Sequence, residues 1–164
     1  AQGREALERF VRNDLASGEK PVAVESEFRF RFGQDQVSGR WDRIDERPEG
    51  IVLVDYKTSE VDEDDRAAER AKEFARDGQL GLYALAYRET RGVVPARVEL
   101  RFVGSGTAGS VAVEAEHLER AQERIERAAA GIRAADFEAR PAARTCGHCD
   151  YRQICPHSAA RSGP

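Results

Sequence analysis

The stretch from Gly39 to Lys57, GRWDRIDERPEGIVLVDYK, restricts the fold of this chain more than any other. Two hydrophobic runs, Trp41 to Ile44 and Ile51 to Val54, flank a polar segment holding Pro48 and Gly50, the pattern of a β-hairpin with a short loop. A hairpin symmetric about Pro48 and Glu49 sets Asp42 across the ladder from Asp55. Alternation along the second strand sends Asp55 and Lys57 to one face and Tyr56 to the other. Two acids and a lysine then converge. Like charges opposite each other destabilise a sheet, so folding alone gives no reason for this arrangement. A divalent cation removes the conflict: hard cations such as Mg²⁺ take one or two carboxylates plus substrate phosphate oxygens, and a metal-bound water becomes a nucleophile. Lys57 then orients that water or offsets phosphate charge. The alternative is a surface hairpin whose acids pair with Arg40, Arg43 or Lys57.

The pattern Gly39-Arg40-Trp41-Asp42-Arg43-Ile44-Asp45, followed by Asp55-Tyr56-Lys57-Thr58, resembles the core of the PD-(D/E)XK nucleases. Within them it is similar to the RecB-like branch that is fused to superfamily-one DNA helicases. The resemblance runs from about Glu25 to Pro156. It implies a restriction-endonuclease-like α/β (α+β) core with a central mixed sheet flanked by helices. Asp42 and Asp55 would bind Mg²⁺ or Mn²⁺, and Lys57 would assist hydrolysis. Gln79 and Tyr83 match the branch's Gln-x-x-x-Tyr helix motif and join the catalytic set. Glu25, in the pattern Glu-x-x-Phe, resembles an acid that the branch carries before the hairpin and would be a further metal ligand; a cross-strand partner for an arginine is the alternative. The resemblance also implies DNA as substrate, a helicase domain as partner in the same polypeptide or complex, and work in DNA repair or recombination.

The rest of the chain reads in order. Ala6, Leu7, Phe10 and Val11 stand at helical spacing over Arg4 to Asp14, predicting an amphipathic helix. From Val22 to Phe32 the alternation puts Val22, Val24, Phe28, Phe30 and Phe32 on one face of a half-buried strand. Thr58 to Asp65 reads as a solvated loop leading into a charged helix from about Arg66 to Arg76. A second helix from Gly78 to about Glu89 carries Leu80, Tyr83, Ala84 and Tyr87 on one face, with Gln79 one turn before Tyr83. Gly92 and Pro95 end it, and Val98, Leu100 and Phe102 alternate with Arg97, Glu99 and Arg101 as a strand. Gly104 to Gly109 is a turn; it lacks the Gly-Lys-Ser/Thr ending of a phosphate-binding loop. After a short strand, Ser110 to Val113, a long helix from about Ala115 to Ala135 is expected to bury Leu118, Ala121, Ile125, Ala128 and Ile132.

All three cysteines lie in the tail, as Cys146-Gly-His-Cys149 and Cys155-Pro156. An odd count at such close spacing favours a metal or cluster site over disulfides. The three thiols are expected to converge on one point. Zinc would take His157 or His148 as fourth ligand. Alternatively, the spacing resembles the C-terminal part of the iron–sulfur staple of the RecB-like branch, which implies a [4Fe–4S] cluster completed by an upstream cysteine. No cysteine precedes Cys146, and Gly3-Arg4-Glu5-Ala6-Leu7 places Leu7 where the branch carries a histidine metal ligand. The chain also has no methionine. The expectation is a C-terminal fragment of a larger protein, with a nuclease core over residues 1–141 and a cluster-binding tail over 142–164.

Charge bears on the partner. The net charge of -4 argues against non-specific coating of nucleic acid, but from Ala139 onward the only acid is Asp150, against Arg140, Arg144, Arg152 and Arg161. Arg140, Arg144 and Arg152 are therefore the expected DNA contacts. With 40% hydrophobic residues and no membrane-length apolar run, a soluble protein is expected, and the resemblance implies a cytoplasmic, nucleoid-associated one. Two other classes stand beside the nuclease: a DNA-binding module that keeps the fold without the chemistry, and a small zinc protein whose hairpin acids are coincidental.

Overall fold

A computed structural model describes residues 2–59, 61 and 63–160. The elements run α1 (Gln2–Ser17), β1 (Pro21–Phe32), β2 (Asp35–Arg47), β3 (Gly50–Lys57), α2 (Asp64–Arg76), α3 (Gln79–Arg91), β4 (Arg97–Phe102), β5 (Ala108–Ala112), α4 (Ala115–Arg133) and α5 (Ala143–Gly147). The chain divides into two compact units, one ending at Glu126 and one beginning at Arg127.

The first unit is built on a five-stranded sheet in the order β1-β2-β3-β4-β5. Neighbours are antiparallel except β3 and β4, which are parallel and so need a crossover; α2 and α3 supply it. This mixed sheet with flanking helices is the α+β, restriction-endonuclease-like core that was expected. The β2–β3 hairpin has the expected register, with Arg47 opposite Gly50 and Arg43 opposite Val54. Pro48 and Glu49 form the loop, and Gly50 leaves it at φ 121°, a conformation that suits glycine.

The two faces of β3 do different work. Leu53 joins a core made with Val98, Leu100 and Phe102 of β4, Ala67, Ala71 and Ala75 of α2, and Leu80, Tyr83, Ala84 and Tyr87 of α3. The small alanines let α2 lie close on the sheet: a Cβ at Gly109 of β5 would stand 1.9 Å from the Ala67 carbonyl oxygen. On the other face Tyr56 meets Phe10 of α1 edge-on, with ring centroids 5.2 Å apart. That face also holds an ion-pair network that sequence reading did not find. Arg43, 3% exposed, pairs with Asp45, 1% exposed, and with Asp14 of α1. Arg47 and Arg101 extend the network through Glu99 and Glu19. Burial opposes the Arg43 charge, but hydrogen bonds to Asp45, Tyr56 and Asp14 outweigh it and hold its pKa above the ordinary arginine value.

Three expectations need correction. Val22 and Val24 are 55% and 60% exposed, while Ala23 packs on the core. The cause is Glu25 at φ 48°, an αL kink that breaks the alternation, so that the residues before it present the opposite face from Phe28 and Phe30. The first hairpin strand is longer than Trp41 to Ile44, because Asp35 to Arg40 pair with Glu27 to Phe32. In α4, Leu118 and Ala121 are buried and Ile125 packs on the core, but Ala128 and Ile132 are exposed. Of the acidic run before α2, Asp64 and Asp65 form the helix's first turn, where carboxylates favour the exposed N–H groups, and Asp62 lies outside the described residues.

Candidate active site

Asp55 and Lys57 project from the end of β3 toward α3, as the alternation requires. The β2–β3 ladder ends at Arg43 and Val54, and the next residue of β2, Asp42, lies near enough to Asp55 for its charge to act on it. There the Asp42 side chain enters the ladder itself, with Oδ2 accepting the Tyr56 backbone N–H at 2.9 Å. A carboxylate thus takes the place of a strand carbonyl. Opposite Asp42 on the β1 side lies Glu25, between the paired positions Val24 and Ser26. Its carboxylate pairs with Arg40 at 2.8 Å, with both side chains about 60% exposed.

Asp55 is 2% exposed. Burial raises its pKa above the ordinary carboxylate value; the Lys57 ammonium opposes that rise and the Asp42 charge adds to it. Lys57 Nζ lies 2.7 Å from Asp55 Oδ2 and is the ion-pair partner of this buried oxygen. A buried carboxylate is costly unless its charge is met, and positive charge is what it suits.

The lysine is tied to α3. Lys57 Nζ donates to Gln79 Oε1 at 3.2 Å. An ammonium only donates, so the Gln79 carbonyl must face it, and the Gln79 amide then donates to the Tyr83 hydroxyl oxygen. The Tyr83 O–H proton is left to donate onward. Tyr83 is held by its surroundings: its carbonyl accepts Trp41 Nε1–H at 3.2 Å, and its ring meets Phe28 edge-on at 6.0 Å. Burial, then the charges of Asp55 and Asp42, push its pKa up to about 12, so it stays a neutral donor at physiological pH. Phe74 of α2 was missed by the sequence reading. Its ring centroid is 5.0 Å from Lys57 Nζ, and its one signal was being the sole aromatic in a charged helix.

The tail belongs to the second unit. Cys146 ends in the short helix α5, and Cys149 and Cys155 follow in successive turns. Among the described residues no three His, Cys, Asp or Glu side chains are grouped to hold a metal ion, so the expected convergence of the three thiols is not found. Cys146 is instead engaged locally: backbone N–H groups, that of Ala159 foremost, lower its pKa. Arg140 pairs with Asp136 at 2.7 Å, and Arg152 donates to the Cys149 carbonyl at 3.3 Å. Arg144 is exposed, and its carbonyl is 3.0 Å from His148 Nδ1. His157 is exposed as well. No helix among the described residues is long and apolar enough to cross a membrane.

A search of curated proteins gives no match. Among solved structures, the one titled "Crystal structure of SSO0001" is similar at a TM-score of 0.57 and 15% identity, over 97% of this chain and 70% of that one. At that identity the likeness speaks for the fold alone. The profile of the PD-(D/E)XK nuclease superfamily matches residues 1–156, nearly the whole sequence. With that match and a five-stranded mixed core carrying the Asp-x-Lys strand, the chain belongs to the PD-(D/E)XK nuclease superfamily.

Proposed function

We propose that this chain hydrolyses phosphodiester bonds of DNA with Mg²⁺ or Mn²⁺ held by Asp42 and Asp55. The observation that carries the reading is Asp55, a buried carboxylate that meets the Lys57 ammonium at 2.7 Å and feels the charge of a second carboxylate, Asp42. These donors fit a hard divalent cation, which when bound neutralises phosphate charge and supplies a nucleophilic water. Asp42 keeps its place through Tyr56 N–H, so one oxygen is held by the sheet and the other is available. Lys57 presents an ammonium at the mouth of the site, where it can orient a water or a phosphate oxygen. Gln79 fixes Lys57 and, by donating to the Tyr83 oxygen, leaves the Tyr83 hydroxyl proton free to donate to another acceptor in the site. Glu25 serves better as the counter-ion of Arg40 than as a metal ligand, since its carboxylate is already engaged there.

Motif resemblance supports work within a helicase–nuclease of DNA repair or recombination. The cysteine spacing supports a [4Fe–4S] or zinc site in the intact protein. The thiols as placed here do not fit such a group, and no part of hydrolysis is assigned to it.

Labelled linear and single-stranded DNA incubated with Mg²⁺ or Mn²⁺ tests the reading. Lys57→Ala should slow cleavage by about 10²- to 10³-fold while leaving DNA affinity nearly unchanged. Cleavage that survives the substitution would remove Lys57 from the mechanism. DNA binding without cleavage by the wild type would make this a non-catalytic DNA-binding module.

A further inference from the structure

We propose that Phe74 is a positioning residue that holds the Lys57 ammonium by the face of its ring; the proposal rests on the nuclease reading of Lys57. Lysine carries its charge on a long flexible stem, so its direction is set by whatever the head group meets. Here it meets three things: Asp55 Oδ2 at 2.7 Å, Gln79 Oε1 at 3.2 Å and the Phe74 ring centroid at 5.0 Å. The last distance lies in the range of cation–π attraction. Once the Asp55 charge is shared with a divalent cation, its hold on the ammonium weakens and the cation repels it. Gln79 and Phe74 are then the attractors that keep Lys57 in place.

The ring is built into this position. Phe74 lies in the last turn of α2, and its carbonyl accepts the Gly78 N–H at 3.1 Å. The corner closes so tightly that a Cβ at Gly78 would stand 2.6 Å from Phe74 Cα. The Gly78 carbonyl is held in turn by Arg124 of α4 at 2.6 Å, and the next residue, Gln79, begins α3. One glycine corner therefore presents both a ring and an amide to the same ammonium. Core packing alone explains a large apolar residue at position 74, but it does not need a ring face directed at Lys57.

Three variants of the full chain separate the two roles: Phe74→Leu keeps apolar bulk, whereas Phe74→Tyr and Phe74→Trp keep a ring. Phe74→Leu should lower kcat for DNA cleavage by about 3- to 30-fold with little change in KM, and Phe74→Tyr should restore most of it. Independently of activity, the Lys57 ε-methylene NMR resonance in metal-free protein should lie upfield through the ring current, in the wild type and Phe74→Tyr but not in Phe74→Leu. An undisplaced resonance in the wild type overturns the proposal, whether or not any variant folds. So does a folded Phe74→Leu protein with unaltered kcat. A wild type that cleaves no DNA overturns the nuclease reading instead, and the resonance still decides the contact.

Discussion

Asp55→Asn is expected to lower Mg²⁺-dependent DNA cleavage by about 10³-fold or more, the largest effect of any single substitution on activity. Its effect on stability should have the opposite sign. The Asp55 pKa is raised, chiefly by burial. Between the ordinary carboxylate value and the raised value, the folded protein keeps a proton that the unfolded chain has lost. Stability therefore falls as pH rises through that window, and the full penalty is present above it. Asparagine carries no such penalty, so at neutral pH without divalent ions the variant should melt no lower than the wild type. Adding Mg²⁺ should raise the wild-type Tm and leave the variant's nearly unmoved, because a ligand stabilises only the state that binds it. Melts from pH 4 to 8 with and without Mg²⁺, alongside single-turnover cleavage, check both halves. A variant that cleaves DNA like the wild type would remove Asp55 from the site.

Arg43→Ala should destabilise the fold by about 3–5 kcal/mol, the cost of stripping one partner from a buried ion pair. Asp45, 1% exposed, would keep Arg47 at 3.0 Å and the longer contact to Arg101 at 3.7 Å, and Asp14 would lose its strongest tie to the sheet. Arg43→Lys should recover only part of the loss, because one ammonium cannot reproduce the guanidinium fork that serves Asp45 and Asp14 together. Urea denaturation measures it. A loss below about 1 kcal/mol would mean that the network behaves like a solvent-screened surface pair.

The hairpin was legible because everything that defines it is local: a Pro-Glu loop, a run of β-branched residues and a period of two. From these the register, and hence the neighbourhood of Asp42 and Asp55, followed before any tertiary contact was known. The faces of β1 were not legible, because a single αL residue, Glu25, reverses them and nothing in Val-Glu-Ser-Glu announces that turn of the backbone. Nor was the burial of Arg43 and Asp45. They read as surface charges because their partners Asp14, Glu19 and Arg101 stand far away in sequence and meet them only when α1 and β4 come to the same face. Gln79 and Tyr83 could be placed from their one-turn spacing. Phe74 could not, since its contact with Lys57 comes from the α2–α3 corner rather than from helical periodicity.

Asp42 fills two posts at once. Through Oδ2 it secures the Tyr56 amide, and so the end of β3 on which Asp55 and Lys57 stand. Any charge that draws on this carboxylate must also alter its grip on that amide, which makes strand architecture and occupancy of the site one linked equilibrium. The exchange of a single backbone proton, that of Tyr56, becomes a gauge of the site that consumes no substrate. A change of Asp42 to asparagine would disturb more than the proposed metal ligand, because the amide that replaces the carboxylate presents a donor as well as an acceptor to the same rung.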